Sequence, residues 1–574
     1  MKLSAMTLRT LREAPNDAEA VSHKLLVRGG YIKRVASGVY SYLPLGMKVL
    51  TKVSQIVREE FDASGAQEVL LPALHPRELW AQTGRINSMA DVLMEVESKA
   101  GSFVLGPTHE EVMVYTVSQE LSSYRDLPAT LYQIQTKFRD EPRSRFGLMR
   151  TREFIMADAY SFDADQEAMK VSYTKLYDAY HRAFHRMGLP FTPVEADSGA
   201  IGGDVNHEFM SPSPIGEDFF GHCQSCGYAA NIEAAVRSFV PTNPETAPGS
   251  MRVVETPGAP GITEAIAGFA EHGLSITASQ MLKCLACRDR DGSILLLVVP
   301  GDREVRLTGG RSMLSDEEIA SLHFLVKGYI GPMNMAEHGV RVVADLSVSE
   351  SSVWSTGANR ADHHVVDAVV GRDFTPDAYE SLVTVQDGDL CPRCGSSMVL
   401  QRAVEIGHTF QLGLFYSESK IPTARYTDAS GELQPYYMGC YGIGITRLLA
   451  VLVEHWADEK GMRWPLAVAP YHVVIVALGY SRSDEVRVAA ESLYDALRAR
   501  GIEALLDDRD LSPGASFADV ELIGIPLIVV VGARGLREGA VEVRNRLSGE
   551  ESKMPLDSVV DQVEVIVSGA TRIS

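Results

Sequence analysis

Cysteine is scarce in this chain, seven in 574 residues, and six of the seven fall in Cys-x-x-Cys pairs: Cys223/Cys226, Cys284/Cys287 and Cys391/Cys394, leaving Cys440 alone. With no signal peptide in evidence, metal or redox roles come before structural disulfides. Long apolar runs are missing as well. The longest, Ile294 to Val299 and Ile525 to Val531, are strand-length, and Met1 to Pro15 has no continuous apolar stretch. The expectation is a cytoplasmic protein without a membrane partner. Basic charge is also short: 54 Lys and Arg stand against 75 Asp and Glu, a net charge of -21. That argues against a general coat on DNA or RNA, because non-specific binding needs a basic surface that releases counterions. One specific RNA partner remains compatible with local basic tracks.

The apolar share of 45% and charged share of 22% are ordinary for a globular chain, and the length suggests about three or four domains of ~150 residues. The stretch that concentrates chemistry is Leu131 to Phe162. Tyr132, Ile134, Thr136 and Phe138 alternate with Gln133, Gln135, Lys137 and Arg139, the period of a strand with one apolar and one polar face. A charge-dense loop, Asp140 to Gly147, then a second run to Phe162, complete a hairpin rich in arginine. The planar forks of Arg139 and Arg150 suit a polyphosphate, and Phe154 suits a base; read alone, the same residues also fit a solvated charged hairpin with an aromatic in the core.

Phe138 to Glu141, a loop, then Arg150 to Phe154 resembles motif 2 of the class II aminoacyl-tRNA synthetases. The resemblance implies that Arg139 holds the α-phosphate and amino-acid carboxylate, Glu141 the adenine edge, Arg150 the outer phosphates and Phe154 the adenine ring. The amphipathic helix Met47 to Ser64, the strand Gln67 to Leu71 and Pro72 resemble motif 1, which implies a homodimer; a surface helix on a sheet fits them equally. Tyr437 to Arg447, a glycine-rich strand entering a helix, resembles motif 3, with Gly442 and Gly444 against adenosine and Arg447 toward the phosphates.

Three further segments resemble the prolyl-tRNA synthetases. In Gly106-Pro107-Thr108-His109-Glu110-Glu111, Thr108 and Glu110 face the amino acid by that likeness, although Thr108 with Glu111 also reads as a capping box. Gly202-Gly203-Asp204 and His207-Glu208-Phe209 would wall the proline pocket beside Met156, Asp158 and Phe162. In Ile406 to Gly413, Gly407 and His408 border the substrate and Gln411 reaches the nucleotide, with Cys440 packed nearby.

Pro241 to Gly261 reads as a linker, and beyond it helices and strands alternate to Asp389 like an inserted α/β domain. Cys223/Cys226 and Cys391/Cys394 bracket it; two such knuckles make a four-thiolate zinc site at the neck, with buried thiols as the other reading and Cys284/Cys287 left to the core. Lys283, Gly331, Asp345 and the run from Gly357 to His364 resemble the editing domain of bacterial-type prolyl-tRNA synthetases, which implies hydrolysis of mischarged alanyl-tRNA. Lys283 would hold the tRNA end; His363 beside His364 leaves open which histidine serves the alanine pocket. After an expected hinge at Pro465 to Pro470, the tail resembles an anticodon-binding domain, with Asp508, Arg509, Phe517, Asp519 and Arg544 at strand ends and helix starts.

The expectation is an α+β multidomain chain: a class II antiparallel-sheet catalytic core in two parts, 1–222 and 396–465, an inserted α/β editing domain at 223–395, and a C-terminal α/β anticodon-binding domain at 466–574. The resemblance implies ligation of proline to tRNA(Pro) with ATP and Mg²⁺, and a structural Zn²⁺ as candidate. A threonyl enzyme would need a Cys/His zinc set that the catalytic segments lack. A non-catalytic tRNA-binding paralogue is the alternative; the presence of Arg139, Arg150 and Arg447 favours an enzyme.

Overall fold

The computed structural model describes every residue except 8–9, 198–200, 202, 204, 240–248, 308–309 and 572–574, so Gly202, Asp204 and the first part of the expected linker lie outside the described residues. The chain forms two compact units, Met1–Asp218 with Arg402–Ser574, and Phe219–Gln401. No helix among the described residues is long and apolar enough to cross a membrane.

The first unit is built on strands Gln67–Glu68, Ala129–Phe138, Glu153–Asp163, Thr192–Glu195, Val205–Pro212, Val399–Gly413 and Tyr437–Ile443. From one edge the order is 192–195, 205–212, 399–413, 437–443, 153–163, 129–138 and 67–68, all antiparallel except the last pair. The hairpin is therefore central rather than peripheral. Helices Pro44–Ala63, Gln166–Met187 and Ile445–Trp456 share one core with the sheet, where Phe61 lies 5.9 Å from Tyr180 and 5.2 Å from Tyr132 between ring centroids. Local chemistry sets the helix ends: Pro44 opens the first, Asp165 caps the second by accepting from Ala168 N at 2.8 Å, and Gly188 ends it at φ +73.

One alternative falls away and one expectation needs correction here. The reading of a solvated charged hairpin does not hold for the polar face of Ala129–Phe138, since Gln133 and Lys137 are fully buried. The strand expected from Gln67 to Leu71 ends at Glu68, and side chains replace its ladder: Gln133 Oε1 accepts from Leu71 N at 3.0 Å and Gln135 Nε2 donates to Leu71 O at 2.8 Å. The second follows from Pro72, which cannot continue the ladder and leaves the Leu71 backbone groups for the two glutamines to satisfy.

The C-terminal sheet of this unit has order 504–507, 473–478, 527–532, 540–545, 551–555, the first three parallel. The strand Glu551–Pro555 and helix Val559–Thr571 went unread in the sequence. The expected hinge at Pro465 to Pro470 is packed instead: Val468 and Ala469 are buried, and the adjoining Trp464 donates from Nε1 to Tyr31 Oη at 2.9 Å, which donates to Ile523 O at 2.7 Å. A buried indole and phenol joining three distant segments leave no freedom for a hinge.

The second unit holds a five-stranded sheet, Ser312–Met313, Leu282–Arg288, Ile294–Pro300, Arg341–Asp345 and Ala378–Glu380 in spatial order, and a three-stranded one of Arg252–Glu255, His363–Val369 and Val353–Gly357. Cys284 and Cys287 lie three apart on one strand and so face opposite sides, one near Thr356 and the other near Met313, each at 3.5 Å. Only Cys287 is fully buried.

Candidate active site

The register of the central sheet assembles the site. Glu208 pairs with His408, His408 with Gly442, Gly442 with Asp158 and Asp158 with Gln133, one row across five strands. The next row on the same face runs Asn206, Phe410, Cys440, Tyr160. Glycine at the middle of the first row leaves room, and above it opens a cavity of about 500 Å³. It brings together Thr108, Glu110, Arg139, Glu141, Arg150, Phe154, Met156, Asp158, Gly407, His408, Cys440, Gly442, Gly444 and Arg447, drawn from five separate stretches of sequence.

Six of the expected residues that are described do not line it: Gly203, His207 and Phe209, with Phe209 buried in the core, and Phe162, Glu208 and Gln411. Phe162, two residues beyond Tyr160, is buried one row further on, opposite Met438 and against Tyr436, 5.7 Å between centroids. Glu208 is screened by His408, whose Nδ1 lies 3.6 Å from its carboxylate. Gln411 lies three residues past His408, half-buried on the strand and outside the cavity.

Three guanidiniums reach the cavity. Arg139 donates to Pro107 O at 3.3 and 3.4 Å and lies 5.2 Å from the Phe154 ring centroid. Arg447 donates to Met149 O at 3.1 Å and to Glu405 O at 2.8 Å. Arg150, more exposed, pairs with Glu141 at 3.0 Å and Glu217 at 2.8 Å. Loss of water and the like charge of Arg447 hold Arg139 below its usual range, so the pair repels in the absence of an anion. Loss of water also raises the carboxyl of Glu405, but His408, Arg447 and Arg139 outweigh it and hold that group at about 2. Glu405 was missed in the sequence, although it immediately precedes the segment singled out there.

At the other end, Glu110 opens the helix Glu110–Glu120. The capping box does not form: His109 occupies the cap, Thr108 Oγ1 donates to Glu110 at 2.7 and 2.8 Å, and Glu111 turns to Arg85 at 3.0 Å and Thr83 at 2.9 Å. A buried guanidinium is a stronger partner for Glu111 than a backbone amide. Arg85 meets Glu110 as well, at 2.9 Å. Beneath the cavity Lys137 Nζ lies 2.6 Å from Asp158, whose other oxygen accepts from Gln133 at 2.9 Å and Tyr160 Oη at 3.0 Å. Burial lowers Lys137 and raises Asp158, each opposed by the other's charge. The strand alternation placed Lys137 on the site face, but nothing local marked it as Asp158's partner.

In the second unit the Sγ atoms of Cys223, Cys226, Cys391 and Cys394 all lie within 4.8 Å of one another. Gly227 and Gly395, each next after its pair and at φ +75 and +73, close the two turns. Separations of 3.5 Å for Cys223–Cys394 and Cys226–Cys391 are near the roughly 3.8 Å edge of a tetrahedron with ~2.3 Å Zn–S bonds. The four thiols fit a zinc ion.

Of the other residues expected to act there, His364 is buried, hydrogen-bonded to Thr256 Oγ1 at 2.7 Å and pushed by burial to about 4, while His363 is half-buried against Ala361 O at 2.7 Å. Lys283 donates to Arg303 O at 2.9 Å. Gly331 approaches Gly357 so closely that a Cβ would sit 1.9 Å from Gly357 O. Asp345 is occupied: it accepts from Ser347 N at 3.0 Å, Leu382 N at 3.0 Å and Arg237 at 3.2 Å. Its carboxylate anchors loops of the fold.

In the tail, Arg509 bridges Asp507 and Asp519 at 2.8 and 2.9 Å, Arg544 lies 4.7 Å from the Phe517 ring centroid, and Asp508 accepts from Ser4 N at 2.9 Å.

Residues 94–456 match the family model described as the class II tRNA synthetase core domain (G, H, P, S and T), and 472–566 match the anticodon binding domain. The sheet, its cavity and these matches define a class II aminoacyl-tRNA synthetase. Proline-tRNA ligases of Moorella thermoacetica (43% identical over 577 residues, 99% of each chain) and Nocardia farcinica (44% over 587 residues, 99% of this chain and 100% of the other) resemble it throughout. So does that of Burkholderia pseudomallei, 44% identical over 579 residues, again 99% and 100%. The chain belongs to the proline-tRNA ligase family. A crystal structure of prolyl-tRNA synthetase from Cryptosporidium parvum with L-proline and AMP shares the fold at TM-score 0.58 and 13% identity, covering 96% of this chain and 75% of that one.

Removing Lys137 would leave the Asp158 carboxylate buried and unpaired. Lys137→Met should therefore destabilise the full chain by about 3–5 kcal/mol, and Lys137→Met/Asp158→Asn should recover most of that. Urea unfolding checks both. The single-variant deficit should shrink as pH falls, because the orphaned Asp158 titrates above its unfolded value and takes up a proton.

Proposed function

We propose that this chain ligates proline to tRNA(Pro) through a prolyl-adenylate. The reading rests on one observation above all: Arg139 and Arg447, two cations that repel each other, line the same cavity as the ionised Glu110. The guanidiniums suit the triphosphate and substrate carboxylate, and Glu110 with Thr108 suits the secondary ammonium. Met156, Asp158, Gly407, His408 and Cys440 border the proline ring; Phe162 and Glu208 support that wall from behind. Phe154 stacks on adenine, Glu141 takes its edge, and Gly442 and Gly444 let the adenosine approach; Gln411 would serve the nucleotide only after a shift.

The proline carboxylate attacks the α-phosphorus of ATP in line, the bond to the β-phosphate oxygen breaks, and pyrophosphate leaves. The terminal ribose hydroxyl of tRNA then attacks the prolyl carbonyl and AMP leaves. Arg139 stabilises charge on the α-phosphoryl oxygens, while Arg447 and Arg150 hold the outer phosphates, so alignment and electrostatics carry the rate. Glu405, kept ionised beside Arg447, has the oxygen chemistry to ligate Mg²⁺, which would neutralise phosphate charge. Arg139→Ala should lower proline-dependent ATP/pyrophosphate exchange at least about 100-fold while the melting temperature holds. Exchange with no amino acid in the parent, alongside retained tRNA binding, would favour the paralogue.

Proline and alanine differ by methylenes worth only a few kcal/mol, so a second sieve is needed. We assign it to the second unit, with Lys283 on the tRNA end and the neutral His364 and Gly331 lining the alanine pocket; Asp345 serves the fold around them. Lys283→Ala should leave aminoacylation with proline unchanged and let alanyl-tRNA(Pro) accumulate; equal clearance by variant and parent would sink this assignment. The four cysteines at 223, 226, 391 and 394 hold structural Zn²⁺ in this reading. Metal analysis of protein purified without chelator should find one zinc per chain, and Cys391→Ser should lose it while proline-dependent exchange persists. Asp508, Arg509, Phe517, Asp519 and Arg544 form the surface proposed for the anticodon. The enzyme works in the cytoplasm as a homodimer, joined near the exposed Leu70 and Leu74 that follow the motif 1 helix.

A further inference from the structure

We propose that Arg85 is a positioning residue of the amino-acid site: it absorbs the charge of Glu111 so that Glu110 stays ionised and aimed at the substrate ammonium. The proposal rests on the reading of Glu110 given above. Arg85 belongs to the short helix Arg85–Ser88 and is 2% exposed, its guanidinium 5.2 Å from the Trp80 ring centroid and 5.7 Å from that of Tyr416. A single nitrogen, Nη1, meets Glu110 Oε2 at 2.9 Å and both Glu111 oxygens at 3.0 Å. Nε and Nη2 are buried without a hydrogen-bond partner among the described residues. A clamp serving stability alone would use the fork in two places; leaving two donors unmet is a cost.

Glu110 and Glu111 are consecutive and fully buried. Two such carboxylates cannot both stay ionised without a cation between them. One guanidinium against two carboxylates leaves one negative charge, and of the two only Glu110 lines the cavity. An entering ammonium completes a neutral cluster. The other groups facing Glu110 do not upset this count. Cys440, 3.3 Å away, Tyr160 and Tyr416 are pushed up by burial and neutral, and His75 is held at about 4. Lys137 is matched by Asp158, and Arg139 is reserved for substrate anions. Burial raises Glu110, but Arg85 and Thr108 bring it below its ordinary value, whereas burial leaves Glu111 raised.

The test is proline-dependent ATP/pyrophosphate exchange on the full chain, with KM for proline and for ATP measured from about pH 6 to 8.5, where an aliphatic ammonium stays charged. In Arg85→Met the two carboxylates share a proton, so the KM for proline should rise about tenfold at the acid end and fall as pH rises and that proton leaves. In Glu111→Gln the whole charge of Arg85 falls on Glu110, and the KM should rise several-fold at every pH. Combining the two restores one unpaired negative charge, so Arg85→Met/Glu111→Gln should return to within about threefold of the parent and lose the pH dependence. The KM for ATP should stay put throughout. A double variant at least as impaired as either single one, or a KM for ATP that moves with that for proline, overturns the proposal. Should Arg85→Met fail to fold, Glu111→Gln decides alone, and an unchanged KM for proline overturns it. Glu110→Gln separates the two readings: no effect on proline refutes the role of Glu110 and this inference with it, whereas a raised KM there with none in Glu111→Gln refutes only the part given to Arg85.

Discussion

Charges taken out of water must be paired, and the floor and end wall of this cavity are made of such pairs. Lys137 with Asp158 lies under the sheet's middle row, and Arg85 with Glu110 and Glu111 lies at the end away from Arg447. The first is made inside the hairpin by the register of its two strands and the second joins the short Arg85 helix to the Glu110 helix, so both must form correctly for these charges to be tolerated. The rest of the first unit's core, three helices against one face of the sheet, keeps the strands where those pairs can form.

The opposite arrangement holds at the open end. Arg139 and Arg447 repel there, and Glu405 lies beside both. A site whose floor is paired and whose mouth holds three guanidiniums in place is preorganised for a polyanion, because the forks are already positioned when the anion enters. That division explains why arginines serve at the mouth, where a fork meets oxygen atoms, and a lysine serves as a point charge beneath.

The second unit solves a different problem. Its chain leaves and returns near the same place, and the Cys223/Cys226 and Cys391/Cys394 turns meet there, each closed by a glycine in the left-handed region. Zinc-type coordination suits such a neck because four thiolates tie together two short turns that bury little apolar surface of their own.

What the sequence determined by itself was local. The alternation of Ala129–Phe138, the period of Gln166–Met187, the paired cysteines and the glycine-rich approach to Arg447 were all legible, because strand and helix periods and turn chemistry are written in neighbouring residues. From them came the hairpin, the order of motifs and most of the cavity lining. Tertiary structure decided what depends on register and long-range contact. It showed that the polar face of the hairpin is buried, that Phe162 and Glu208 stand behind the wall, and that Asp345 is consumed by the fold. It also revealed that Pro465 to Pro470 is packed rather than hinged, and that Arg85 and Lys137 find their carboxylates. A side chain's chemistry can be read where it stands; its partner is set by which strands and helices meet, and a one-residue change of register in the hairpin would put Lys137 and Asp158 on opposite faces.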